Sequence, residues 1–215
     1  MPRYTLTQAT QIIEEHTLQL AALVQGQLAR ACATMGRHEA ADQVPVWEGR
    51  VNELRAQIQI EIAQALEHWA PLGPALRYLM ALYAIADECE RIGDYALHVA
   101  RDLPGINTLT PELMGLVQEM TRLVRDQMHG GMRLLAQVDG ATLTDLDEGE
   151  RHLDILRHQL VASLQAEMTA HAEHIAPAIP ILFVVRDLER IGDRIINIAR
   201  DVVYARTGIR PPHPR

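Results

Sequence analysis

The chain has 215 residues, 48% of them apolar and 4% aromatic, enough apolar side chains for a buried core and too few rings for an aromatic-rich β-sandwich or barrel. A formal charge of −8 argues against nucleic acid as a partner, since phosphate backbones are bound by concentrated cationic charge. All twenty basic residues are arginine, which excludes Schiff-base chemistry, the Walker A lysine and the kinase strand lysine.

Helical periodicity predicts six helices and no strand. The first covers about Thr7 to Met35, with Gly36 as its stop, and the second runs from Pro45, suited to a first turn, to Trp69. After a turn at Ala70–Pro74 the third continues from Ala75 to Asp102, and Pro104-Gly105 ends it. Thr110-Pro111-Glu112 opens the fourth with a capping hydroxyl, a first-turn proline and an acid at the positive helix end. That helix is expected to reach Val138, weakened or kinked at Gly130-Gly131, with Asp139-Gly140 forming a turn. The fifth spans about Thr144 to His171 on a stripe of Leu153, Leu156, Leu160, Leu164 and Met168, and the sixth spans Pro177 to Arg206, ended by Gly208. The opening residues are polar and lack an apolar leader, and no apolar run approaches the length of a membrane span, so the cytoplasm is the expected location.

An internal repeat organises these helices. Residues 87–102 read DECERIGDYALHVARD and residues 186–201 read RDLERIGDRIINIARD, sharing Glu-Arg-Ile-Gly-Asp and Ala-Arg-Asp. A weaker match pairs Glu48…Asn52 with Glu150…Asp154 in the preceding helix of each half. The expected fold is therefore all-α, two tandem antiparallel three-helix bundles related by this repeat, with residues 1–104 as one unit and residues 105–215 as the other.

The repeat carries paired acids. Glu90 and Asp94, and likewise Glu189 and Asp193, stand four apart and so share one helix face, just outside the apolar stripe. Taken singly, such a pair reads as a solvated face neutralised by neighbouring arginines; the same pentapeptide in both halves gives equal weight to a functional reading. Crowded carboxylates repel, and a hard cation relieves that repulsion, as do protonation or a guanidinium partner; oxygen-only ligation suits Mg²⁺, Ca²⁺, Mn²⁺ or iron. Gly93 and Gly192 lie toward the apolar side and are expected to let another helix approach. Cys89 reads as a small core residue. None of the ten histidines follows a glutamate by three positions, which argues against a di-iron carboxylate bundle; His171 and His174 read as capping or surface residues. No catalytic constellation is visible, and an enzyme is not expected.

The segments Glu88-Cys-Glu-Arg-Ile-Gly-Asp-Tyr-Ala and Leu188-Glu-Arg-Ile-Gly-Asp-Arg-Ile-Ile-Asn-Ile-Ala resemble the repeated signature of the PhoU family. That resemblance implies surface metal clusters of iron, zinc, manganese or magnesium held by E/D-x-x-x-D motifs. On this chain the motif falls on Glu90, Asp94, Glu189 and Asp193, with Glu150 and Asp154 from helix 5, Glu48 and Asn52 from helix 2, and Asp87. Asn52 departs from the acidic pattern, and Asp87 is matched by Arg186, so the resemblance implies metal held unequally by the two halves. It further implies a homodimeric adaptor that meets the membrane only through its partners, a phosphate ABC transporter and a sensor histidine kinase, and represses phosphate-starvation genes. A metal-independent helical scaffold is the principal alternative, and a metal-storage bundle a more distant one.

Overall fold

A computed structural model describes residues 4–35, 44–108 and 110–212, and its regular structure is helical throughout. Six long helices form in chain order: α1 (Leu6–Ala33), α2 (Val44–Trp69), α3 (Pro74–Asp102), α4 (Pro111–Ala136), α5 (Gly140–Ala170) and α6 (Ile175–Thr207). Short 3-10 segments at Leu103–Thr108 and Ala172–His174 lead into α4 and α6. Each half is a three-helix bundle, α1–α3 and α4–α6, with neighbouring helices antiparallel, as the repeat predicts.

Local chemistry sets the ends. Thr5 opens α1 with a capping box, its hydroxyl accepting from the Gln8 N–H while the Gln8 side chain accepts from the Thr5 N–H. Thr110 accepts from the Leu113 N–H ahead of Pro111, as expected. Gly208 closes α6 in the left-handed region at φ +78°, where a side chain would be strained. The expected stop at Gly36 lies outside the described residues.

Two expectations at the α4–α5 corner are corrected. Asp139-Gly140 is the start of α5 rather than a free turn: Asp139 is its cap and accepts from the Thr142 N–H at 2.7 Å. Gly130 and Gly131 neither end nor interrupt α4, because they are packing positions; a Cβ on them would come within 3.0 Å of Leu146 and Ile195 respectively. α6 also begins two residues before Pro177, so Pro180 sits inside it near its start, where the missing N–H costs one intrahelical bond.

The core crosses between the halves. Buried Leu20, Val24 and Leu28 of α1, Leu82, Ile85 and Ile92 of α3, and Leu188, Ile191 and Ile195 of α6 belong to one apolar cluster, which also takes in Leu103 and Ile106 of the connecting 3-10 segment. Along the α3–α6 seam, Glu88 accepts from Arg194 Nη1 at 3.3 Å and Asn197 Nδ2 at 3.1 Å. The matching acid on α6, Asp187, is 1% exposed and lies 3.3 Å from His98 Nδ1, with the Arg186 guanidinium on its other oxygen. Glu88 with Asn197 and Asp187 with His98 occupy corresponding positions of the repeat, so the seam is approximately two-fold.

Candidate metal centre

The geometry of the acid-bearing faces begins with the two repeat glycines. A Cβ on Gly192 would collide with Leu153 of α5 and approach Gln127 Oε1 of α4 to 3.2 Å; one on Gly93 would meet Val51 of α2 at 3.5 Å and Gln27 Oε1 of α1 at 3.2 Å. Val51 and Leu153 immediately precede Asn52 and Asp154. Gly192 therefore lets the middle helix α5 close on the motif helix at the level of the acids, whereas Gly93 gives its close approach to Gln27 of α1 and leaves Val51 of α2 at ordinary contact distance. The expectation that these glycines admit another helix holds.

In the second half this closure brings Glu150 and Asp154 of α5 together with Glu189 and Asp193 of α6 around one concavity of about 410 Å³. Burial, reinforced by Asp193, Asp147 and Asp154, pushes the Glu150 carboxyl up to about 7 against the pull of Arg200. Its Oε2 is buried and has no hydrogen-bond partner. Glu189 is raised as well, by burial and then by Asp193, with Arg157 and Arg190 opposing. Asp154 is exposed and is taken by Arg157, one turn on, at 3.0 Å.

The first half is arranged differently. Burial and the neighbouring Asp94 raise Glu90, with Arg55 pulling it back. Arg55, projecting from α2, donates through Nε and Nη2 to Asp87 Oδ1 at 3.1 and 2.6 Å and places Nη1 3.5 Å from Glu90 Oε1. Arg91 takes the other Asp87 oxygen at 3.0 Å. Glu48 is half-buried on α2 and Asn52 is exposed.

Carboxylate oxygens are the donor chemistry of hard cations, and the second half fits that chemistry, with four acids on one concavity and an orphaned buried oxygen. Among the described residues, no three His, Cys, Asp or Glu side chains stand close enough to close on a metal ion. Ligation there requires side-chain movement. The first half fits less well, because Arg55 reaches across from α2 to hold the half-buried Asp87 and pair with Glu90, whereas the second-half guanidinium, Arg157, sits on the exposed Asp154 of its own helix.

Two pairs of residues in this architecture escape motif reading. Arg55 and Arg157 sit 102 apart, the same offset as Glu48 and Glu150, and each reaches toward the motif glutamate of its half. Gln27 and Gln127, 100 apart, are both buried beneath the repeat glycines; Gln27 Nε2 donates to the Gly93 carbonyl at 3.0 Å, while both polar atoms of Gln127 lack a protein partner. The recurring offset was the available signal. Cys89 is fully buried, with burial pushing its thiol up to about 12, and His174 pairs with Glu167 at 2.7 Å beside the α5–α6 turn.

Two tandem three-helix bundles, joined by a shared core and carrying one acidic motif per bundle, define a class of all-helical repeat proteins. The PhoU domain family matches residues 17–103 and again residues 117–202, and the chain belongs to that family. It is 30% identical over 182 residues, 82% of this chain and 74% of that protein, to a phosphate-specific transport system accessory protein PhoU homolog of Xylella fastidiosa. It is 26% identical to the phosphate-specific transport system accessory protein PhoU of Serratia marcescens, covering 89% of this chain and 80% of that one. The crystal structure of PhoU from Pseudomonas aeruginosa shares the fold with a TM-score of 0.89 at 23% identity, over 95% of this chain and all of that one. Among the described residues, no helix is long and apolar enough to cross a membrane.

Proposed function

We propose that the protein is a non-enzymatic regulator of phosphate homeostasis, an adaptor that restrains phosphate uptake and represses phosphate-starvation signalling through a phosphate ABC transporter and a sensor histidine kinase. Family membership supports the phosphate assignment, since the relatives' own names place them in phosphate-specific transport. The observation that carries a role for the acidic face is the second-half concavity, where four carboxylates share a groove and the Glu150 Oε2 is buried without a hydrogen-bond partner. Glu150, Asp154, Glu189 and Asp193 would hold a hard cation there, which would supply charge neutralisation and fix α5 against α6 as a rigid docking face. Homodimer formation and a cytoplasmic site of action belong to the same proposal.

A metal-independent scaffold is the second reading, and the Arg55 bridge across Asp87 and Glu90 favours it for the first half. The deciding experiment measures phosphatase reporter output in phosphate-rich medium in the source organism with the gene deleted. The deletion is complemented with wild type or with Glu150, Asp154, Glu189 and Asp193 all replaced by alanine. Derepression on deletion, rescued by wild type and not by a folded acid-free variant, is expected. Rescue by both supports the scaffold, and no derepression on deletion refutes the phosphate assignment.

A further inference from the structure

The halves repeat their polar plan at offsets of 99 to 102 residues, and two of the positions at which they differ bear on the acidic faces, Asp87 against Arg186 and Asn52 against Asp154. These differences decide where the middle-helix arginine goes. In the first half, Asp87 receives both an Nε and an Nη2 hydrogen bond from Arg55, which leaves Nη1 directed at Glu90. In the second half the corresponding position is itself an arginine, and Arg186 turns its guanidinium onto its neighbour Asp187. Without that anchor, Arg157 donates through Nε and Nη2 to Asp154, an exposed acid one turn away on its own helix, and forms a longer ion pair with Glu189 at 3.8 Å. That arrangement is solvated and worth little beside the half-buried Arg55–Asp87 pair between helices.

We infer that Arg55 is a built-in cation that closes the first-half acidic face to metal, so that metal entry is confined to the second half. A guanidinium stays charged at every accessible pH and spans two carboxylates with fixed geometry. A metal ion entering the first half would have to displace Arg55 from Asp87 and leave a partly buried guanidinium without its partner, a cost that offsets much of the gain. Asn52 removes one charge that could compensate. The second-half part of this inference rests on the metal reading proposed above, whereas the first-half part rests on the ion pairs alone.

The test uses the full chain and Mn²⁺ as the probe, followed by equilibrium dialysis and by the spin-resonance signal of bound Mn²⁺. In a Glu189→Gln/Asp193→Asn background, Mn²⁺ binding is expected to be lost. Adding Arg55→Met, which keeps the apolar stem, is expected to restore saturable binding that Glu90→Gln/Asp94→Asn then abolishes. Arg55→Lys, which keeps the charge, is expected not to restore it. Helical circular dichroism monitors folding of each variant. The inference is overturned if the Glu189/Asp193 variant still binds Mn²⁺ through Glu90 and Asp94 with Arg55 in place. That arm needs no change at Arg55 and so does not depend on the Arg55→Met variant folding. It is equally overturned if folded Arg55→Met gains nothing, or if Arg55→Lys gains as much as Arg55→Met. Failure of wild type to bind Mn²⁺ would instead remove the metal part of the proposed function, and the Arg55→Met arm would still decide the role of Arg55.

Discussion

Among the motif acids, Glu150 has the largest displacement from ordinary carboxylate behaviour. Its pKa rises from 4.5 to about 7 because folding buries it beside Asp193, Asp147 and Asp154. A carboxyl raised in the folded state binds more protons folded than unfolded between those two values. Its favourable contribution is complete below about pH 4.5 and is lost as pH rises through about 7. Glu150→Gln, which cannot ionise, is therefore expected to stabilise the protein at pH 8 by on the order of 1–2 kcal/mol, a figure discounted for solvent at the exposed edge of the site. The gain should vanish near pH 4.5, and urea unfolding at the two pH values measures it. An equal effect at both would mean that the buried oxygen is held by something other than repulsion.

At the scale of the element, the repeat glycines fix helix spacing. Replacing an exposed mid-helix glycine by alanine ordinarily stabilises by about 1 kcal/mol, and Gly49→Ala on α2, with open space around it, is expected to do so. Gly192→Ala forces Leu153 aside and is expected to cost about 1–3 kcal/mol, from overpacking against α5. Thermal unfolding of the two variants gives opposite signs if Gly192 sets the α5–α6 distance, and the same sign if it does not. This role was legible in the sequence, because an identical glycine in both motifs on the apolar side of the helix has little other use. Helix number, order and the acidic pairs were legible for the same reason, being written in periodicity and repetition. The start of α5 was not: Asp139-Gly140 carries turn chemistry, and only the Asp139 bond to the Thr142 N–H distinguishes a cap from a free turn. Gly130 and Gly131 misled because propensity counts their backbone cost and cannot see Leu146 and Ile195 packed against them. Arg55 was missed because its partners, Asp87 and Glu90, lie on a different helix, and long-range pairing leaves no local pattern.

At the scale of the whole molecule, the tandem repeat and the shared core pull in opposite directions. Chains of this length with two repeated units commonly unfold in separate steps. Here Leu103 and Ile106, in the segment that joins the halves, are fully buried, and the apolar cluster runs from α1 through α3 into α6 without a break. The seam adds polar bonds on both sides of its approximate two-fold axis, from Glu88 to Arg194 and Asn197 and from Asp187 to His98. Opening one half would expose the α3 or α6 surface of the other and strand a largely buried charge at each end of the seam, so neither half gains by unfolding first. Both tryptophans, Trp47 and Trp69, lie on α2, so their fluorescence reports the first half, whereas far-ultraviolet circular dichroism reports all six helices. The two signals are expected to trace one coincident urea transition. A fluorescence midpoint clearly separated from the dichroism midpoint would mean that the bundles unfold independently, and that the α3–α6 seam is too weak to couple them.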